Sequence, residues 1–481
     1  MLLMHTLTLL QLNDLHGYLA PHPEIFNLGH PNDIHSGGGL ERIATLFRRI
    51  RREVGGAVIA LDNGDTFHGT MAAVHTRGEA LIPAMRALGL DGMTLHWEFA
   101  YGLERVREIA DRLPYPVLAA NFHAPAGALA LPPFTVIDRA GVKIGIVGLA
   151  AVVATHLLPP ADRAGVTVTM GEAELRSCIP SLRRDHGADV IVVLSHLGFP
   201  QDCKLAATIP GIDVILSGHT HNRLTHPVIV NNTIIMQSGA HGAFVGRLDL
   251  TIARGGVADW SHALIPIDDT VEPDSEMQPL VDAGLAPFAT ARTTVIGETS
   301  HALHRYSMFE STMDNVLLDA TAAAAETTVA LSNGWRYGAP IPAGRLTEWD
   351  LWNIVPANPP VSVVTLTGRE LRQLFEQNLE ATFACDPWQQ RGGYMKRSRG
   401  IEILLKLENP AGHRLQQLTV GGEPLTDGET VRVAFLGEQA VPADTGGDRA
   451  STGIPAVEAL ARYVRGQKIV TPALRGDIHV V

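Results

Sequence analysis

Only three cysteines occur in 481 residues, Cys178, Cys203 and Cys385. Their number is odd and their spacing matches no CxxC or zinc-ribbon pattern, which excludes a disulfide or thiolate framework. Buried free thiols in a reducing compartment are the expectation. Basic charge is also short: 38 Lys and Arg face 50 Asp and Glu, a net charge of -12. That argues against nucleic acid or an anionic membrane as the main partner, while leaving room for a local basic pocket for a small anion. Long hydrophobic runs are missing too. The opening "MLLMHTLTLLQLNDLHG" ends its apolar run at Leu12, short of the roughly 20 residues that a membrane span needs. It has no basic leader and no small-residue cleavage site, so the chain is expected to be cytoplasmic. Repeats and low-complexity tracts are absent.

The length exceeds one core, since domains run to about 100–200 residues. The first half alternates strand-like runs ("TLTLLQL", "AVIALDNGD", "PVLAANF", "DVIVVLSHLG", "DVILSGHTH") with helical patterns. "GGLERIATLFRRIRR" places Leu40, Ile43, Ala44, Phe47 and Ile50 on one helix face. The continuous β-rich runs are those of strands covered on both faces, giving an α/β layered fold. The pattern changes after Pro266. The expectation is a first domain over 1–268, a linker helix over 269–295 and a mixed α+β domain over 296–481.

In layered α/β folds the ligand sits beyond the carboxyl ends of the strands. Every strand end here offers an Asp or a His: Asp14 and His16, Asp62 and Asp65, His196, then His219 and His221. One such end is an ordinary solvated turn. Four in one domain imply a cation, which repays the desolvation and mutual repulsion of such groups. Mixed N/O donors suit Zn, Mn, Fe or Co, and there are too many for one tetrahedral ion. Two divalent ions sharing a carboxylate, roughly 3.5–4 Å apart, fit better and favour hydrolysis of an ester such as a phosphate.

At this point the sequence resembles the calcineurin-like metallophosphoesterases, in the branch of the bacterial 5'-nucleotidases. "LQLNDLHG", "LDNGDTF", "MTLHWEFAYG", "VVLSHLG" and "VILSGHTH" stand in that family's order, and "LSNGWRYG", "VVTLTGRELRQLFEQ" and "RGGYMKRSRG" look like its C-terminal domain. The resemblance implies a four-layer α/β/β/α sandwich followed by an α+β substrate domain. It also implies a first metal on Asp14, His16 and His221, Asp65 as the bridge, and a second metal on His196, His219 and His96. The family loop reads Gly-Asn-His-Glu-Phe-Asp, whereas this chain reads Leu95, His96, Trp97, Glu98, Phe99, Ala100. The metal-binding Asn is His96, the catalytic His is Trp97 and its orienting Asp is Ala100. A rival alignment shifts the loop by one and keeps His96 as the catalytic His.

The loop resembles the SoxB-type thiosulfohydrolases, which release sulfate from a cysteine S-thiosulfonate on a carrier protein. Three functions therefore stand open. The leading one is a dimetal hydrolase, with His96 and Asp65 as catalytic residues, acting on small phosphoesters with nucleotides as the candidate. The others are a SoxB-like enzyme with a carrier-protein partner and a catalytically silent metal-binding module. Arg336 matches a family Arg that holds the substrate anion, Tyr394 a base-stacking aromatic, and Asp448 the Asp of a retained Gly-Gly-Asp. Lys396, Arg397 and Arg399 read as a solvated charge run, and His22, His30 and His35 as a solvated loop.

Overall fold

The structure is a computed structural model that describes residues 4–30, 33–253 and 255–481. Part of the N-terminal run used above, Met1–Leu3, lies outside them. The chain divides into two units, Met1–Glu24 with His35–Pro287, and Ile25–Ile34 with Phe288–Val481. Among the described residues no helix is long and apolar enough to cross a membrane.

The first unit is built on two sheets. One orders Gly256–Pro266, Phe244–Ala253, His5–Leu12, Val58–Asp62 and Gly92–Met93; the other orders Val228–Val230, Thr233–Met236, Val214–Ser217, Val190–Ser195, Val142–Leu149 and Phe134–Arg139. Alternate residues of both sheets meet in one core: Leu7, Leu9, Ile59 and Leu61 from the first, Ile144, Ile146, Val190, Val192, Leu194, Val214 and Leu216 from the second. Period-two alternation thus supplies the inner layer. The outer faces of the same strands are buried as well, at Leu10, Ala60, Val193 and Ile215. The helix Leu40–Glu53 buries Leu40, Ile43, Ala44, Phe47 and Ile50, the stripe its sequence period requires.

Strand register positions the site. His5–Leu12 runs parallel to Val58–Asp62, with Leu12 opposite Asp62. Val190–Ser195 runs parallel to Val214–Ser217, with Ser195 opposite Ser217. The polar turns after Leu12 and Asp62 therefore leave one sheet side by side, as do those after Ser195 and Ser217 on the other. "PVLAANF" is less regular than its sequence suggests. It contributes only a bridge at Val117 and the short strand Phe122–His123, which pairs with Thr167–Val168.

The second unit holds a sheet ordered Tyr394–Arg399, Val329–Gly334, Thr430–Leu436, Pro360–Thr367 and Gly447–Pro455. Helices Glu348–Ile354 and Gly368–Phe383 begin with capping boxes, Thr347 with Asp350 and Thr367 with Glu370. In sequence, between the main sheets of the two units, the chain forms the helices Gln278–Leu285 and Ala289–Thr293.

Candidate metal centre

Seven residues singled out in the sequence converge. Three groups have ligand atoms all within 4.8 Å of one another: Asp14, His16 and His221; His96, His196 and His219; and Asp14, Asp65 and His196. The Nε2 atoms of His16 and His221 stand 3.2 Å apart. Asp14 Oδ1 lies 3.3 Å from His221 Nε2 and 3.4 Å from His196 Nε2. Asp65 spans the groups, with Oδ2 2.7 Å from His96 Nδ1 and Oδ1 3.5 Å from His16 Nδ1.

The backbone is bent to achieve this. Asp14, His16, Asp65, His219 and His221 all adopt φ between 51° and 70°. Non-glycine residues enter this region at a cost, and they cluster where function over-determines the conformation. Cross-links hold the turns: Asp14 N–H donates to Gly64 O, and His16 N–H to Asp65 O. Gly69 lets the Asp65 turn approach closely, since a Cβ there would sit 2.6 Å from His16 O.

Residues that pattern reasoning passed over fix the geometry. Asn63 donates to Ser195 O and Leu216 O, accepts from Gln11 and takes His196 Nδ1 on its own carbonyl. Glu98 is fully buried; one oxygen accepts from Thr66 N and Phe67 N, the other from His96 N. It anchors the His96 loop to the Asp65 turn. Gln237 accepts from Thr220 Oγ1 and Asn222 N and donates to Gly218 O, bracing the turn that carries His219 and His221. Trp97 stacks on His68 with ring centroids 4.8 Å apart and 18° between planes.

Burial raises the Asp14 carboxyl, yet the imidazoles of His196, His221 and His16 outweigh it and hold Asp14 well below the usual range. Burial, with the Glu98 and Asp14 carboxylates, drives Asp65 well above it. Burial and neighbouring imidazoles press His16 and His96 toward the neutral form. The set is thus two crowded carboxyls among imidazoles, with His16 and His96 pressed neutral, a donor set that a divalent cation binds. Asp65 Oδ1 and His196 Nε2 are buried without a hydrogen bond, atoms an ion would satisfy.

A protein-family model, 5'-nucleotidase, C-terminal domain, matches residues 289–437. The sulfate thiohydrolase SoxB of Thermus thermophilus superposes with a TM-score of 0.90 at 26% identity, covering 98% of this chain and 96% of that one. A 5'-nucleotidase precursor, also from Thermus thermophilus, gives 0.87 at 26%, covering 99% of both chains. Residues 289–437 thus belong to the 5'-nucleotidase C-terminal domain family, and the whole chain shares the two-domain fold of SoxB and 5'-nucleotidase. Like these relatives, it is a hydrolase. The trifunctional nucleotide phosphoesterase YfkN of Bacillus subtilis is 25% identical over 443 residues, 81% of this chain and 30% of that protein.

The second-unit residues divide. Arg336 lies over the Tyr394 ring at 5.9 Å, and Arg397 lies over the same ring at 5.2 Å. Asp448 is exposed on Gly447–Pro455, with φ 50°. Among the described residues no recorded contact joins it to Arg336 or Tyr394. Two bland expectations fail. Lys396 and Arg397 are 4% and 1% exposed, not a solvated run. Lys396 donates to Gln439 O and Ala440 O, and Arg397 pairs with Asp314. His22 is buried, bonded to the carbonyl of His241, because its strand turns the ring inward from the loop.

Proposed function

We propose that the chain hydrolyses small phosphoesters, nucleotides being the first candidates, with two divalent ions of the Mn or Zn type (Fe or Co also suit the donors). The observation that carries this is the three groups of Asp and His atoms, each within 4.8 Å, at the ends of parallel strands. Asp14, His16 and His221 would hold one ion, His96, His196 and His219 the other, with Asp65 between them. Two such ions, when bound, polarise the ester oxygens and lower the pKa of a water. The rest falls to side chains. Asp65 faces both groups and keeps them in register, and His96 is tied to it through Nδ1. The position of His96 among His196 and His219 supports the alignment that makes it a ligand. On the second unit, Arg336 would take the anionic group of the substrate and Tyr394 a planar portion, with Asp448 the weaker candidate.

A second reading is SoxB-like release of sulfate from a carrier cysteine. It is favoured by the loop Leu95–Ala100 and by the 0.90 superposition on SoxB. A sulfane-sulfur leaving group needs less proton donation, so Trp97 and Ala100 cost that reaction less.

Metal-loaded protein assayed on AMP, a cyclic nucleotide, an aryl phosphate and a cysteine S-thiosulfonate peptide separates the two. Phosphoester turnover abolished by Asp65→Ala supports the first reading. Turnover of the sulfur substrate alone replaces it with the second.

A further inference from the structure

The loop that resembles the family's catalytic segment carries Trp97 and Ala100 where an imidazole and its orienting carboxylate are expected. The fold supplies another such pair on a different wall. Phe244–Ala253 runs antiparallel to His5–Leu12, so the turn before it reaches the same end of the sheet as Asp14. That turn carries His241, which is fully buried with φ 61°, and its N–H donates to Asp14 O at 2.7 Å. The His241 ring lies 5.7 Å from that of His16 and 5.9 Å from that of His221, centroid to centroid.

His241 Nδ1 faces Glu24 Oε2 at 3.4 Å, and Arg223 donates to the other oxygen of Glu24 at 3.1 Å. Arg223 is itself seated over the Phe244 ring. Burial raises Glu24, but His241, Arg223 and His22 together bring it down to about 2. A buried carboxylate in that state has no proton to offer, so the proton of this contact belongs on His241 Nδ1. The opposite nitrogen, Nε2, then presents a lone pair, and it is buried with no hydrogen-bond partner. An orphaned acceptor beside His16 and His221 calls for a donor supplied by what binds there.

We propose that His241, oriented by Glu24, is a catalytic residue whose Nε2 accepts a hydrogen bond from the attacking water in the Asp14, His16 and His221 half of the site. This rests on the hydrolytic reading above. Nothing covalent passes through the ring; its lone pair aims the water. The other spare imidazole, His68, is less suited. It is stacked flat on Trp97, and among the described residues no recorded contact with a carboxylate orients it.

Glu24→Gln tests the pair with little change of shape. Arg223 would hold the amide oxygen, turning the amide NH2 toward His241 Nδ1 and forcing the ring proton onto Nε2. The expectation is a shift of the His241 tautomer in 15N NMR and a fall in kcat on an aryl phosphate of about a hundredfold or more, with two ions per chain retained. At position 241, Gln places an amide near Nε2 and Asn places one near Nδ1. His241→Gln should therefore retain more activity than His241→Asn, although Asn tolerates positive φ better. Wild-type protein with the His241 proton on Nε2, Glu24→Gln within threefold of wild type, or Asn outperforming Gln overturns the proposal. If wild type turns over none of the esters, the hydrolytic reading falls, and the NMR tautomer alone decides whether Glu24 orients His241.

Discussion

The carbonyl oxygen of Asn63 accepts a hydrogen bond from His196 Nδ1 at 2.6 Å, which leaves Nε2 of that ring as the nitrogen facing Asp14 and Asp65. The Asn63 side chain meanwhile ties the first sheet to Ser195 O and Leu216 O on the second. Asn63→Ala leaves those two buried carbonyls and the Gln11 amide short of partners, at about 1–3 kcal/mol for each unsatisfied group. Calorimetry should show a melting point lower by at least several degrees. Metal affinity should also fall about 10–100-fold, the usual effect of losing a group that orients a ligand. An unchanged affinity would show that the two sheets keep their register without Asn63.

The loop Leu95–Ala100 gives a second prediction. Glu98 holds the His96 backbone, so substitution of the His96 ring leaves the loop in place. His96→Ala should lower bound metal from two ions toward one per chain. His96→Asn, which restores the family's residue type, should keep both. Elemental analysis distinguishes these outcomes, and equal loss in both variants would remove His96 from the ligand set.

The parts legible in the sequence were those whose chemistry is local. Strand-end Asp and His residues advertise a site because such groups gather only around a cation, and the parallel register then brings Asp14, Asp65, His196 and His219 together. The stripe of Leu40–Glu53 was equally plain. What escaped depends on contacts distant in sequence. Glu24 and His241 are 217 positions apart, and nothing in "PHPEIF" or "SGAHG" announces their meeting. Lys396 and Arg397 read as surface because burial of a charge is decided by partners, here Gln439, Ala440 and Asp314, that no local pattern reveals.

Lys396 yields a pH prediction. Burial lowers its ammonium from 10.5 to about 8, and only carbonyl oxygens, Gln439 O and Ala440 O, receive it. Between pH 8 and 10.5 the unfolded chain binds the proton that the folded chain has lost, so stability from this group rises with pH across that window. Below pH 8 the full cost of burying the charge remains, about 3 kcal/mol on the usual conversion of 1.36 kcal/mol per pKa unit. Lys396→Met should therefore gain most, relative to wild type, at pH 7 and lose that advantage by pH 10.5. Urea melts at both pH values measure the difference, and a pH-independent gap would contradict it.

Asp314 is fully buried between two guanidiniums, Arg305 at 2.8 Å and Arg397 at 2.9 Å. Burial raises its carboxyl, but the two arginines prevail and hold it below the usual range. Removing one member of such a set strands a buried charge, at about 3–5 kcal/mol. Asp314→Asn should lose stability on that scale, and Asp314→Ala more, because Ser311 also bonds the carboxylate. Chemical denaturation followed by Trp335 or Trp349 fluorescence, both in the second unit, reports it. A loss under 1 kcal/mol would mean that Arg305 and Arg397 find carbonyl partners enough without the acid.

Metal removal tests the centre without reference to any substrate. Asp14 and Asp65 are buried at 0% and 1% exposure, beside the His16 and His96 rings that burial presses toward the neutral form. An ion bound to the folded chain stabilises it by about 4 kcal/mol at a thousandfold excess over its dissociation constant. Chelator-treated protein should melt several degrees lower, and Mn or Zn should restore the transition in two steps if the two groups differ in affinity. Asp65→Ala faces neither group with a carboxylate, so chelation should shift its transition far less. An identical chelator shift in Asp65→Ala and wild type would place the ions elsewhere and dismantle the catalytic reading along with them.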